Sequence, residues 1–231
     1  MSDFLFSDRA SAGRLLAREV AKRYFERPVV YALPRGGVPV AAPIAAVLNA
    51  PLDLLLVRKI GVPRQPEVAA ASIVDGERPD IILNERIVRA AGLSAADLDL
   101  LAEEQLKEIE RRRVMYLGDR APVAAGGRTA ILVDDGIATG ASMRVAIAAI
   151  RRRKPLAVVV AIPVASREAV QAVAAEADQV ICLATPADFS AVGSYYEDFH
   201  QLEDGEVVAL LAGAHGEGVA SDTQNRSRAP Q

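Results

Sequence analysis

The stretch Thr129–Ala148, TAILVDDGIATGASMRVAIA, restricts what this chain can fold into more than any other. It opens with an apolar run, Ala130-Ile131-Leu132-Val133, which reads as a buried parallel strand. Two adjacent carboxylates follow, Asp134 and Asp135, then a small-residue turn, Gly136 to Ser142, then an apolar pattern at helical spacing. Strand, acidic pair, small loop and helix is how an α/β sheet presents a phosphate site at the carboxyl ends of its strands. Unpaired N–H groups at the helix start point at the anion, and the helix dipole favours its charge. Gly140 and Ala141 allow the backbone to approach closely, while Thr139 and Ser142 add hydroxyl donors. Carboxylates repel a phosphate, so Asp134 and Asp135 make sense when the ligand also carries hydroxyls or a metal. Aspartates accept hydrogen bonds from a sugar diol, and their hard oxygens suit magnesium. The stretch therefore predicts a phosphorylated sugar bound with magnesium. An ordinary turn with Asp as turn former and Thr as helix cap would explain the acidic pair alone, but not the full run.

Apolar strands and helical patterns alternate along the rest of the chain. Ser7 to Arg27 has helical spacing at Ala12, Leu15, Leu16, Val20 and Tyr24. Strands are predicted over Pro28–Leu33, Leu52–Val57, Val68–Val74, Asp80–Leu83, Ala157–Pro163 and Gln179–Leu183. Helices are predicted over Val38–Leu48, Asn84–Gly92, Ser94–Met115, Ser166–Ala175 and Asp204–Ala212, and one follows the acidic pair to Arg153. Ser94 and Asp97 form a capping-box start, and Arg111-Arg112-Arg113 reads as the solvated, dipole-complementing end of its helix. This alternation requires a mostly parallel central sheet flanked by helices, with right-handed crossovers.

Composition bounds the partners. The 231 residues carry a formal net charge of −3, which lacks the basic footprint of a nucleic-acid binder. No apolar stretch is long and uninterrupted enough to span a bilayer, and a basic-then-apolar leader is missing, so a soluble cytoplasmic protein is expected. The single cysteine, Cys182, rules out an internal disulfide framework and reads as a buried strand residue.

Three further stretches carry candidate chemistry. Pro34-Arg35-Gly36-Gly37 ends the first strand; its glycines let N–H groups converge on an anion beside the Arg35 fork, or serve turn geometry alone. Arg58 to Glu67 is polar and basic, is broken by Gly61, Pro63 and Pro66, and reads as an exposed loop between Val57 and Val68. Thr185–Gln201 concentrates Phe189, Tyr195, Tyr196 and Phe199 in a chain that is only 4% aromatic. Their rings could stack on a flat ligand or anchor a surface segment into the core. His200, beside them, is a weaker candidate.

ILVDDGIATGAS resembles the phosphoribosyl pyrophosphate (PRPP) signature of the type I phosphoribosyltransferases: a hydrophobic strand, two acidic residues, small residues, then Thr-Gly-x-Ser/Thr. The resemblance extends over roughly Pro28 to His200. It implies one phosphoribosyltransferase domain over residues 1–212, with a helical insertion at 84–117, a small hood at 185–201, and a disordered tail at 213–231. The insertion would cover the site or form a homodimer contact.

The resemblance also assigns roles. Asp134 and Asp135 would bind the ribose hydroxyls and Mg²⁺, directly or through water, with Gly136 alongside. Ile137, Ala138, Thr139, Gly140, Ala141 and Ser142 would hold the 5′-phosphate. Pro34, Arg35, Gly36 and Gly37 would contact pyrophosphate through a loop that holds a non-proline cis peptide at Arg35. Arg58, Lys59 and Arg64 would close over the leaving group on a mobile catalytic loop, with Glu67 as a proton acceptor. Phe189, Tyr195 and Tyr196 would stack on the acceptor.

The implied activity is transfer of a phosphoribosyl group from Mg-PRPP to a nucleobase-like acceptor, as in purine or pyrimidine salvage. Members acting on 6-oxopurines usually carry Asp just before Thr-Gly, and here that position is Ala138, so the acceptor stays open. A non-catalytic PRPP- or nucleotide-sensing protein of the same fold is the other reading, and the basic Arg58-Lys59 loop favours the enzyme.

Overall fold

The computed structural model describes residues 4–63, 65–76 and 79–216. In chain order the elements are α1 (Arg9–Val20), β1 (Val29–Ala32), α2 (Gly37–Leu48), β2 (Leu52–Leu54), β3 (Val57–Val62), β4 (Gln65–Val74), β5 (Asp80–Leu83) and α3 (Glu85–Ala91). There follow α4 (Ala95–Leu117), β6 (Thr129–Val133), α5 (Ala141–Arg152), β7 (Ala157–Val164), α6 (Arg167–Ala174), β8 (Gln179–Ala184), a 3₁₀ turn (Val192–Tyr195) and α7 (Asp204–Gly216).

Five strands form the predicted parallel sheet, in the order β2-β1-β6-β7-β8, with every neighbouring pair parallel. Strands buried on both faces need no polar alternation, and β1 and β6 are buried at every residue. The two-residue period sends Val30, Ala32, Ile131 and Val133 into one core with α1, α2, α4 and α7. It sends Val29, Tyr31, Ala130 and Leu132 into the other, with Met143 and Ile147 of α5 and Val173 of α6. Among the described residues no helix is long and apolar enough to cross a membrane.

The stretch from Arg58 to Glu67 departs from the expected free loop. Arg58 and Lys59 lie in β3 and Glu67 in β4, an antiparallel pair that β5 extends to three strands. Ile60, only 1% exposed, anchors this hairpin in the core despite the polar residues around it. The register shifts at Gly61, where an added Cβ would lie 2.5 Å from the Pro66 carbonyl oxygen, so a glycine bulge accommodates the close approach. Arg64 lies outside the described residues.

Two helix ends also differ. α1 stops at Val20 rather than Arg27, because Glu26 already accepts from Thr129 N–H at 3.1 Å and Arg27 takes a left-handed conformation (φ 45°). α7 continues to Gly216, so residues 213–216 are helical where a tail was expected; 217–231 lie outside the described residues. In the insertion, α3 ends at Gly92 (φ 64°), and α4 opens with the Ser94/Asp97 capping box.

Candidate functional site

β1 and β6 are neighbours, so the segments leaving their carboxyl ends must meet. The turn after β1 is closed by Gly37 N–H donating to Leu33 C=O at 2.9 Å, and its Pro34–Arg35 peptide is cis. A Cβ at Gly36 would stand 2.0 Å from Asp135 Oδ2, and one at Gly37 would stand 2.6 Å from the Val133 carbonyl oxygen. Both glycines are thus required by contact between the two segments, over and above turn geometry. Asp134 Oδ1 accepts from Asp135 N–H at 2.9 Å. Burial and the neighbouring Asp135 charge push the Asp134 carboxyl well above its ordinary range. Burial also raises Asp135, against a lowering pull from Arg9.

The loop that follows is held from below. Ile137 N–H donates to Val164 C=O at 3.0 Å, and Ser166 Oγ donates to Ala138 C=O at 2.7 Å. Gly140 takes a left-handed conformation (φ 78°) as N-cap of α5 and offers no side-chain cap; the first amide, Ala141 N–H, makes only a long 3.4 Å contact to Thr139 Oγ1, so the start of the helix is left to a ligand. Thr139, Ala141 and Ser142 are exposed there. A Cβ at Gly136 would stand 2.5 Å from Val192 Cγ1, so glycine lets the hood pack on this loop.

Sequence reading missed Arg9. This α1 residue, 8% exposed, donates through Nε to Asp135 Oδ2 at 2.7 Å and through Nη1 to His200 C=O at 2.9 Å. Its guanidinium lies 3.7 Å from the Phe199 ring centroid. Helix capping by Asp8, which accepts from Ser11 N–H at 2.6 Å, fixes the start of α1. The N-terminal segment pairs with the hood, Phe6 N–H donating to Tyr195 C=O at 3.1 Å and Glu197 N–H to Phe6 C=O at 2.9 Å. Residues 126 positions apart in sequence meet here, and no local pattern signals it.

The structure gathers Gly36, Gly37, Asp134, Asp135 and the loop Gly136–Ser142 at one point. Arg35 sits at its edge, Nη1 lying 3.8 Å from Asp204 Oδ1 at the start of α7. Tyr116 of α4 donates to the same carboxylate at 2.5 Å, and its hydroxyl is pushed up to about 12 by burial and then by Asp204. Lys59 lines a cleft of about 520 Å³ between the antiparallel sheet and α5, together with Ala141 and Ser142. It pairs at 3.6 Å with Glu67, which is highly exposed. Arg58 points elsewhere, donating through Nε to Gln105 of α4 at 2.8 Å, because adjacent strand residues face opposite ways.

The hood aromatics divide. Tyr196 is buried, with its hydroxyl donating to the Asp135 backbone carbonyl at 2.5 Å and its ring against Phe6 and Phe199. The expected acceptor-stacking face is corrected for this residue: it is an anchor, because its face is spent on core rings. Phe189 and Tyr195 stay half-buried, with ring centroids 5.4 Å apart.

A family model described as a phosphoribosyl transferase domain matches residues 10–199. Proteins from two strains of Mycobacterium tuberculosis, CDC 1551 / Oshkosh and H37Rv, provisionally named phosphoribosyl transferases, are 47% identical over 211 residues. The match takes in 91% of this chain and 47% of each of theirs, so the chain spans about half the length of the curated relatives it matches. Among solved structures, TT1426 from Thermus thermophilus is similar at 42% identity with a TM-score of 0.78, covering 90% of this chain and 98% of that one.

Proposed function

The chain belongs to the phosphoribosyl transferase domain family, and from that premise we propose that it moves the 5-phosphoribosyl group from Mg-PRPP to a nucleobase-like nitrogen, releasing pyrophosphate. The observation that carries this reading is the nesting of the Gly36 backbone against the Asp135 carboxylate at the head of the Gly136–Ser142 loop. Pyrophosphate, ribose diol and 5′-phosphate would need three such sites within one ligand's length.

In this reading Asp134 and Asp135 hold the ribose hydroxyls, and the uncapped start of α5 holds the 5′-phosphate. The C1′–oxygen bond to pyrophosphate breaks as the acceptor nitrogen bonds C1′ and gives up its proton, through an oxocarbenium-like transition state. Arg35 at the turn and Lys59 on the cleft wall are the described cations assigned to the departing charge. Glu67, beside Lys59, is assigned the proton. Phe189 and Tyr195 are the aromatic faces left for the acceptor.

The donor set fits a magnesium ion brought in with the ligand. Arg9 bonds Asp135 through Oδ2 and the Asp135 amide bonds Asp134 through Oδ1, so each carboxylate has a second oxygen to offer, and no cluster of three metal-ligating side chains stands among the described residues. Magnesium is commonly held by one or two carboxylates with substrate phosphates completing its shell. When bound it would neutralise charge building on the leaving pyrophosphate. A cytoplasmic setting in nucleotide salvage and a homodimeric assembly complete the proposal.

Calorimetric titration of PRPP into the protein tests it, with saturable heat expected in the presence of magnesium and lost on chelation. No heat with magnesium overturns the reading and leaves a phosphate cradle for another ligand. Binding with no pyrophosphate release across a nucleobase panel would favour a sensor over an enzyme.

The Gly36→Ala variant adds a sharper check. Its backbone (φ −59°, ψ −35°) suits alanine, so the new methyl acts only by expelling the Asp135 carboxylate. Mg-PRPP affinity should fall by about tenfold, the loss of roughly one charge-assisted hydrogen bond. Unchanged affinity in Gly36→Ala would remove Asp135 from the ligand site.

A further inference from the structure

We propose that Arg9 is a positioning residue for Asp135, presenting one carboxylate oxygen to the ribose and tying that carboxylate to the hood. The inference rests on the PRPP reading and assigns to α1 a part in the site that its sequence does not announce.

The geometry divides the two oxygens of Asp135. Oδ2 takes the Arg9 Nε–H at 2.7 Å and faces Gly36, whose Cβ position lies 2.0 Å from it but 3.1 Å from Oδ1. Oδ1 is the oxygen that neither Arg9 nor the Gly36 contact engages most closely. Arg9 and Gly36 together therefore fix the carboxylate plane and leave Oδ1 as the outward acceptor.

A guanidinium suits this task because its fork bonds two acceptors at a set angle while its face stacks on a ring. Arg9 uses all three features, on Asp135, His200 C=O and Phe199. The last two belong to the segment after β8, so the ribose carboxylate and the acceptor side of the site are held in register by one side chain. Tyr196, donating to the Asp135 carbonyl, repeats that link through the backbone.

The test compares two partial ligands. Ribose 5-phosphate carries the diol and the 5′-phosphate; inorganic pyrophosphate carries neither, and both ligands are titrated without magnesium so that the control makes no demand on the Asp135 carboxylate. Wild type, Arg9→Gln and Arg9→Lys are titrated with each. The wild type should bind both. Arg9→Gln should weaken ribose 5-phosphate by about tenfold, roughly one charge-assisted bond, while pyrophosphate stays within about twofold. Arg9→Lys, keeping the charge but not the fork, should recover part of the loss.

Equal losses for both ligands in a folded Arg9→Gln protein would make Arg9 a merely structural residue and overturn the proposal, as would undiminished ribose 5-phosphate binding. Should Arg9→Gln fail to fold by circular dichroism, Phe199→Leu removes the stacking while leaving the Asp135 bond. The same ligand split, smaller, is then expected, and its absence overturns the proposal. A wild type that binds neither ligand defeats the PRPP reading itself, and this inference with it.

Discussion

Asp134→Asn/Asp135→Asn is expected to lose Mg-PRPP binding by at least about a hundredfold, each carboxylate supplying roughly 1.5–3 kcal/mol as the acceptor of a charge-assisted hydrogen bond. The single Asp134→Asn variant should at the same time be more stable than wild type at pH 7. Burial and the adjacent Asp135 hold the folded-state carboxyl of Asp134 well above its ordinary 3.8. The folded protein therefore binds that proton more tightly than the unfolded chain does. The stability this contributes is complete at low pH and is lost as pH rises through the folded value. Asparagine does not titrate, so the advantage of Asp134→Asn should grow with pH and vanish in acid. Asp135→Asn should show no such gain, because it strips the charge partner from buried Arg9. Thermal melts across about pH 4–8, run beside the titrations, read both effects. A lower midpoint for Asp134→Asn at pH 7 would contradict the burial argument.

Arg113→Met should destabilise the fold by about 3–5 kcal/mol, the usual loss when one partner of a buried ion pair is removed. Arg113, with its side chain 11% exposed, donates through Nη1 to Asp75 Oδ2 at 2.6 Å and through Nη2 to Asp53 Oδ1 at 3.2 Å. The remaining carboxylate oxygens are used as well: Leu56 N–H donates to Asp75 at 2.8 Å and Val123 N–H to Asp53 at 2.7 Å. One guanidinium thus pins α4 to β2 and to the end of β4, and its loss leaves two carboxylates buried without a cation.

Burial already pushes Asp75 up to about 6 from its ordinary 3.8, with Arg113 pulling the other way. Its contribution to stability therefore falls as pH rises from 3.8 through about 6. Without Arg113 the folded value climbs further, so the defect of Arg113→Met should widen toward neutral pH. For a chain of this size the midpoint should drop by about 6–20 °C. The triple variant Arg113→Met/Asp53→Asn/Asp75→Asn should recover much of that loss. A drop worth under about 1 kcal/mol would place the network among weak surface pairs.

Runs that act within a few residues were legible in the chain itself. Thr129–Ala148 folds as strand, acidic pair, loop and helix because its period, glycines and carboxylates all act locally. The same holds for the Ser94/Asp97 capping box, for Gly92 as a helix stop, and for the alternation that makes the sheet parallel.

Contacts across the fold were decided only by tertiary structure. Ile60 draws a polar, proline-broken stretch into a hairpin through core burial that no local pattern encodes. Arg113, within a run of three arginines, turns inward because two carboxylates wait 60 and 38 residues away. Tyr196 shares its short segment with half-buried Phe189 and Tyr195, yet it alone reaches the Asp135 carbonyl. Nothing in the local pattern of Ser7–Arg27, which shows only apolar residues at helical spacing, marks Arg9. The adjacency of β1 and β6 and the pairing of the N-terminal segment with the hood place it on Asp135, because a charge is buried only where the folded chain supplies its partner.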